Sequence, residues 1–146
     1  MSEALPAWEA LPDFGLYMDQ LLTFTERPFP GEVTAGMINS YVKAQLIDRP
    51  VGKKYSRATL ARLLMVCCLK QATPLDSLRE LLCGADTQAL YTRFRSSWLD
   101  LQERLPARDD LDAMDCAILA AAYQSHGRAL LRRMREETAP AEGDAP

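Results

Sequence analysis

The chain is poor in the residues that most chemistry needs. It has one histidine, His126, and no C-x-x-C pair among its four cysteines, Cys67, Cys68, Cys83 and Cys116. Closed tetrahedral zinc sites draw paired ligands at short spacing, so no metal is expected. No identifiable nucleophile or paired base lies near His126 in sequence, so no catalytic residues are expected. The seven glycines are scattered instead of forming a phosphate-cradling loop. The chain therefore reads as neither an enzyme nor a cofactor carrier. No apolar run approaches the roughly 20 residues of a membrane span. The opening segment, MSEALPAWEALPDF, has acids and prolines where a signal peptide has basic residues and then an apolar core. The expectation is a cytoplasmic protein with no membrane partner.

The chain does have apolar content and one concentration of charge. Of its 146 residues 48% are apolar, enough for the core of one domain. The net charge is −3, yet residues 34–70 carry Lys43, Arg49, Lys53, Lys54, Arg57, Arg62 and Lys70 against Asp48 alone. That segment is +6 and the remainder −9. A local positive field in an acidic chain is an electrostatic footprint for a polyanion, though a solvated face has the same composition.

The pattern along the chain is helical. An irregular lead, 1–15, holds Trp8, Leu11 and Phe14 as anchors. A first helix is expected over 16–25, with Tyr17, Leu21, Leu22 and Phe24 on its buried stripe, stopped by Pro28, Pro30 and Gly31. A second begins with Thr34 as N-cap and runs over about 34–44. Met37, Ile38, Tyr41 and Val42 fall on one side, and Gly36, Asn39, Ser40 and Lys43 on the other. Residues 48–55 hold Pro50 and Gly52, which mark a turn. A small β-hairpin wing is expected there, with Arg49, Lys53 and Lys54 outside and Tyr55 packed inside. Ser56 caps a third helix over 57–71, apolar nearly all round and therefore central in a core or a dimer. In that run Cys67 and Cys68 read as small packing residues, with redox or soft-metal sensing as the alternative.

Thr73-Pro74-Leu75-Asp76 starts a fourth helix that ends at Cys83-Gly84. Helices over 86–105 and 109–137 follow as a C-terminal hairpin, and 138–146 reads as a disordered tail. Leu90, Tyr91, Phe94, Trp98, Leu101 and Leu105 form the stripe of the first. Leu111, Met114, Ile118, Ala121, Ala122, Leu130 and Met134 give the second an apolar side. Asp109, Asp110, Asp112 and Asp115 suit its N-terminus, not an acid/base or metal site.

Two resemblances bear on this pattern. Leu16-Tyr17-Met18-Asp19-Gln20, the run Ile38-Asn39-Ser40-Tyr41-Val42-Lys43, the step Lys53-Lys54-Tyr55-Ser56-Arg57 and the end Leu69-Lys70 resemble the bacterial DUF1836 family over roughly residues 5–105. More distantly, the stretch is similar to the DNA-binding domain of MerR-type regulators. Residues 41–47 match the end of the recognition helix, and Lys53-Lys54-Tyr55-Ser56 the wing exit. Residues 60–69 match the apolar helix, and Leu75-Asp76-Ser77-Leu78-Arg79-Glu80-Leu81-Leu82 the short last helix. Asn39-Ser40-Tyr41 stands where that family has Arg-Tyr-Tyr, and Gln45 where it has glycine. The resemblance implies a mainly α, winged helix-turn-helix core over 16–84; where that family has a long dimerisation helix, the pattern here gives the hairpin over 85–137.

The expected function is a DNA-binding transcriptional regulator, homodimeric, that reads duplex DNA. Asn39 and Ser40 would face the groove, and Lys43, Arg49, Lys53, Lys54, Arg57 and Arg62 would neutralise phosphates. Tyr41 is either a phosphate donor or a core tyrosine. Neither an operator nor a small-molecule effector is legible. The alternative is a helical protein-interaction module whose working surface is the C-terminal hairpin.

Overall fold

The computed structural model describes residues 5–82, 86–104 and 110–139. These form a single 3-10 turn at Trp8–Ala10 and six helices: α1 Met18–Glu26, α2 Ala35–Lys43, α3 Arg57–Leu69, α4 Leu75–Leu82, α5 Thr87–Arg104 and α6 Ala113–Thr138. The sequence ends expected at Gly84, Pro106 and Asp109, and most of the 138–146 tail, lie outside the described residues. No described helix is long and apolar enough to cross a membrane.

The core is assembled around α3. Its apolar side chains leave no polar stripe wide enough to face water, so neighbours cover it on every side. Thr59, Leu60, Ala61, Leu63, Leu64, Met65, Val66 and Cys67 are all buried. Ser56 starts the helix by accepting the Thr59 amide at 3.2 Å. Leu21 of α1, Ile38 and Tyr41 of α2, Leu78 and Leu82 of α4 and Tyr91 of α5 close over it. The N-terminal lead is tied down as well. Tyr91 Oη donates to the Pro6 carbonyl at 2.6 Å, Arg95 Nε donates to that of Leu5 at 2.7 Å, and Trp8 lies 6.2 Å from the Tyr91 ring. Leu11 is buried, whereas Phe14, expected as an anchor, is 66% exposed.

The winged-helix expectation is overturned, because the described residues contain no strand and so no β-hairpin wing. Residues 51–54 form a two-residue reverse turn. Val51 and Lys54 exchange backbone bonds of 2.9 and 3.1 Å, and Gly52 and Lys53 both take positive φ, 57° and 65°. The ladder stops there for a local reason. The next hydrogen-bonded rung would join Arg49 and Ser56, but Ser56 is the N-cap of α3 and its carbonyl accepts the Leu60 amide at 3.0 Å. Tyr55 pairs instead with Leu16, through reciprocal bonds of 2.9 and 2.7 Å. Gly15 lets the turn lie close: a Cβ there would sit 2.6 Å from Cβ of Lys54.

The C-terminal helices also depart from a self-packed hairpin. α5 makes its main packing against α3, while α6 meets α4, where Arg135 Nε donates to Glu80 Oε2 at 2.8 Å. The apolar side expected for α6 is largely uncovered: Met114, Ile118, Leu130 and Met134 are exposed, and Leu131 is the buried residue of the helix. Its start lies later than the expected 109: Asp112 is the N-cap, and Asp112 and Asp115 accept each other's amides at 2.8 and 3.1 Å.

Candidate nucleic-acid interface

α2 is held rigidly at both ends. Thr34 Oγ1 accepts the Met37 amide at 3.2 Å, and Lys70 Nζ donates to the Glu32 carbonyl in the preceding loop at 3.3 Å. At the far end Ala44 is the C-cap and Gln45 takes φ 61°. The Leu46 amide then reaches the Tyr41 carbonyl, and the Gln45 amide that of Val42, at 2.9 and 3.0 Å. This pairing is a Schellman motif, with glutamine in the left-handed position that glycine favours. Arg79 of α4 adds a fork onto the Ala44 carbonyl, through Nε at 3.0 Å and Nη2 at 2.6 Å. Gln45→Gly is expected to stabilise the chain by about 1 kcal/mol, which thermal unfolding would register as a Tm rise of about 3 °C.

Held this way, α2 turns Gly36, Asn39, Ser40 and Lys43 to solvent, while Ile38 and Tyr41 face the core. Of the nine residues expected to contact DNA, Asn39, Ser40, Lys43, Arg49, Lys53 and Lys54 are exposed. Ser40 Oγ donates to the Gly36 carbonyl at 3.0 Å. Tyr41 is a core tyrosine, and its burial holds its pKa above the usual value. Arg57 is half-buried, 5.3 Å above the Trp8 ring and 3.4 Å from Asp13. Arg62 is occupied inside the fold: Nη1 donates to the Leu82 carbonyl at 2.8 Å and Nε to Thr87 Oγ1 at 3.1 Å.

The basic turn straddles two shallow clefts. Arg49, Lys54 and Arg57 line one with Asp13 and Asp48. Lys53 lines the other with Tyr17, Asp19 and Pro50. The Lys54 ammonium sits 5.4 Å above the Tyr17 ring. Among the described residues, Lys43, Arg49 and Lys53 make no ion pair or hydrogen bond through their side chains. The exposed Tyr17, Phe14 and Val51, the last 84% exposed, surround the turn. Its spacing places Tyr17 on the buried stripe of a helix over 16–25, but α1 starts at Met18 and leaves Tyr17 outside as the N-cap. Arg79 and Lys70, which position α2, carry no local signal, because their partners lie 35 and 38 residues away in sequence.

A further concavity, of about 280 Å³, lies beneath the loop that enters α2, lined by Phe29, Glu32, Cys67, Cys68 and Trp98 among others. Burial pushes the Cys67 thiol up to about 11, with Lys70 lowering and Glu32 raising it. Burial, with Cys67 beside it, pushes Cys68 up to about 12. Both are protonated at neutral pH, as packing thiols are. In the unfolded chain they ionise near 9.0. Above that value the unfolded state binds fewer protons than the folded one, so stability falls as pH rises. A Tm series from about pH 8 to about pH 11 should decline, and more shallowly in Cys67→Ala/Cys68→Ala.

The family model described as "Domain of unknown function (DUF1836)" matches residues 6–97, well over half of the chain. No curated protein and no solved structure matches it. The MerR-like likeness thus gains no support from these comparisons, and the strand-free turn removes its wing.

Proposed function

The chain belongs to the DUF1836 family, a grouping that carries no activity with it, and we propose its function from its own surface: it binds duplex DNA and acts as a transcriptional regulator. The observation that carries this reading is a rigidly mounted helix with a small polar outer face ending in Lys43, in a chain whose exposed turn adds Arg49 and Lys53 with no carboxylate bound to either among the described residues. Phosphate contacts from these cations supply the affinity and its salt dependence. Asn39 is the residue suited to a base edge, since its amide pairs with adenine through two hydrogen bonds. The basic turn is a phosphate clamp in this reading. Its fixed backbone keeps Lys53 at the surface.

Titration of a mixed-sequence duplex over a range of salt concentrations tests the proposal. The expected result is a binding constant that falls steeply and linearly with salt on logarithmic axes. Absence of binding at low salt overturns it. The alternative, a helical protein-interaction module, is favoured by the uncovered apolar side of α6 and predicts no response to DNA.

A further inference from the structure

α6 has 26 residues, about 39 Å of helix, and the described residues bury little of it. Between 113 and 127 its only formally charged side chain is Asp115; the rest are apolar, small or neutral polar. Such a helix on the surface of its own chain is out of keeping with a solvated face. Met114 is 67% exposed, Ile118 58%, Tyr123 73% and Met134 58%. At 3.6 residues per turn, Cys116, Leu119, Tyr123, Leu130 and Met134 fall within an arc of about 60°. This stripe runs most of the helix and recurs at steps of three, four and seven, the spacing of a helix-on-helix seam.

We infer that this stripe is an interface between two copies of the chain, in which α6 pairs antiparallel with α6 of a second molecule, crossing near Tyr123 and Gln124. The charge order selects both the partner and the direction. Asp110, Asp112 and Asp115 stand at the N-terminal end, and Arg128, Arg132 and Arg133 in the C-terminal half. A parallel pair sets like charges side by side. An antiparallel pair sets Asp115 beside Arg133 of the second copy, twice, as a twofold axis requires, since both residues flank the stripe on the same side. The stripe is therefore complementary to itself. Gly127 supports the same register. A glycine inside a helix is unfavourable by about 1 kcal/mol relative to alanine, and here a Cβ would meet nothing within 4 Å. The described residues give it no packing role. In the pair it stands opposite Ala120, where two small residues let the helices approach closely.

The inference does not rest on the DNA reading, and its test uses no nucleic acid. Sedimentation equilibrium of the full chain at micromolar concentrations should give the mass of a dimer. Leu119→Glu/Tyr123→Glu should weaken self-association at least 100-fold while circular dichroism and Tm stay unchanged, because both side chains already face solvent in the single chain. Orientation is read by oxidation. With Cys116→Ser, a Tyr123→Cys substitution should form an interchain disulfide at the crossing point. The native Cys116 should not cross-link to its copy, since the two lie about 20 Å apart along an antiparallel pair. A monomeric chain, or a dimer undisturbed by the two glutamates, overturns the interface. Efficient Cys116–Cys116 cross-linking overturns the antiparallel register.

Discussion

Replacing the three unpaired cations together, as Lys43→Gln/Arg49→Gln/Lys53→Asn, should lower duplex affinity by about 100- to 1,000-fold near 0.1 M salt and leave Tm within error. The magnitude follows from counterion release: each lost phosphate contact removes about 0.9 from the logarithmic salt slope, so three remove about 2.7. Asparagine is chosen at 53 because that residue sits at φ 65°, a conformation asparagine tolerates. The turn therefore survives the loss of its charge. The slope carries more information than the affinity. A drop in affinity at constant slope would mean a damaged fold, whereas a fall in slope identifies phosphate contacts. Asn39→Ala should behave differently, costing about 1–3 kcal/mol on one preferred sequence and little on others. If the triple variant binds as tightly as the parent, the basic turn and the end of α2 are not the DNA surface.

Arg62→Ala is expected to reduce stability by about 2–4 kcal/mol, a Tm loss of about 6–12 °C, with the salt slope of DNA binding unchanged. By charge alone this residue belonged to the basic segment. In the fold its guanidinium bridges the last turn of α4 and the first of α5, by way of the Leu82 carbonyl and the Thr87 hydroxyl. Removing it leaves a helix-end carbonyl without its charged donor and unlinks three helices. Lysine should recover little, since one ammonium does not reproduce a planar fork that reaches two acceptors in different directions. A variant that keeps its Tm but loses one phosphate contact's worth of slope would return Arg62 to the DNA surface.

The contrast between these cations shows which properties were legible along the chain. Local rules held where a feature is closed within a few residues. Thr34 and Ser56 cap the helices they precede, and the apolar run 60–67 lies at the centre of the core. Tyr55 packs inside as expected. Readings failed where the deciding partner is distant. The wing needed strands, but Tyr55 found Leu16 across α1 and α2 instead of extending the turn. Arg57 and Arg62 looked like their exposed neighbours until Trp8, Asp13, Leu82 and Thr87 came beside them. The apolar periodicity of α6 was visible, yet the periodicity of one helix does not say whether its cover lies in the same chain.

The Leu16–Tyr55 pairing also bears on how the molecule opens. Two reciprocal backbone bonds between these residues enclose α1, α2 and the basic turn in one loop, fastened to the residue that precedes the cap of α3. Segments closed in this way tend to open as one cooperative unit. In amide hydrogen exchange the protons of Leu16 and Tyr55 should therefore be among the slow class, alongside those in the middle of α3. Lys54, at the solvent-facing turn, should exchange far sooner. Opening of 16–55 also has to free Leu21, Ile38 and Tyr41 from the core around α3, which places it among the costliest openings of the fold.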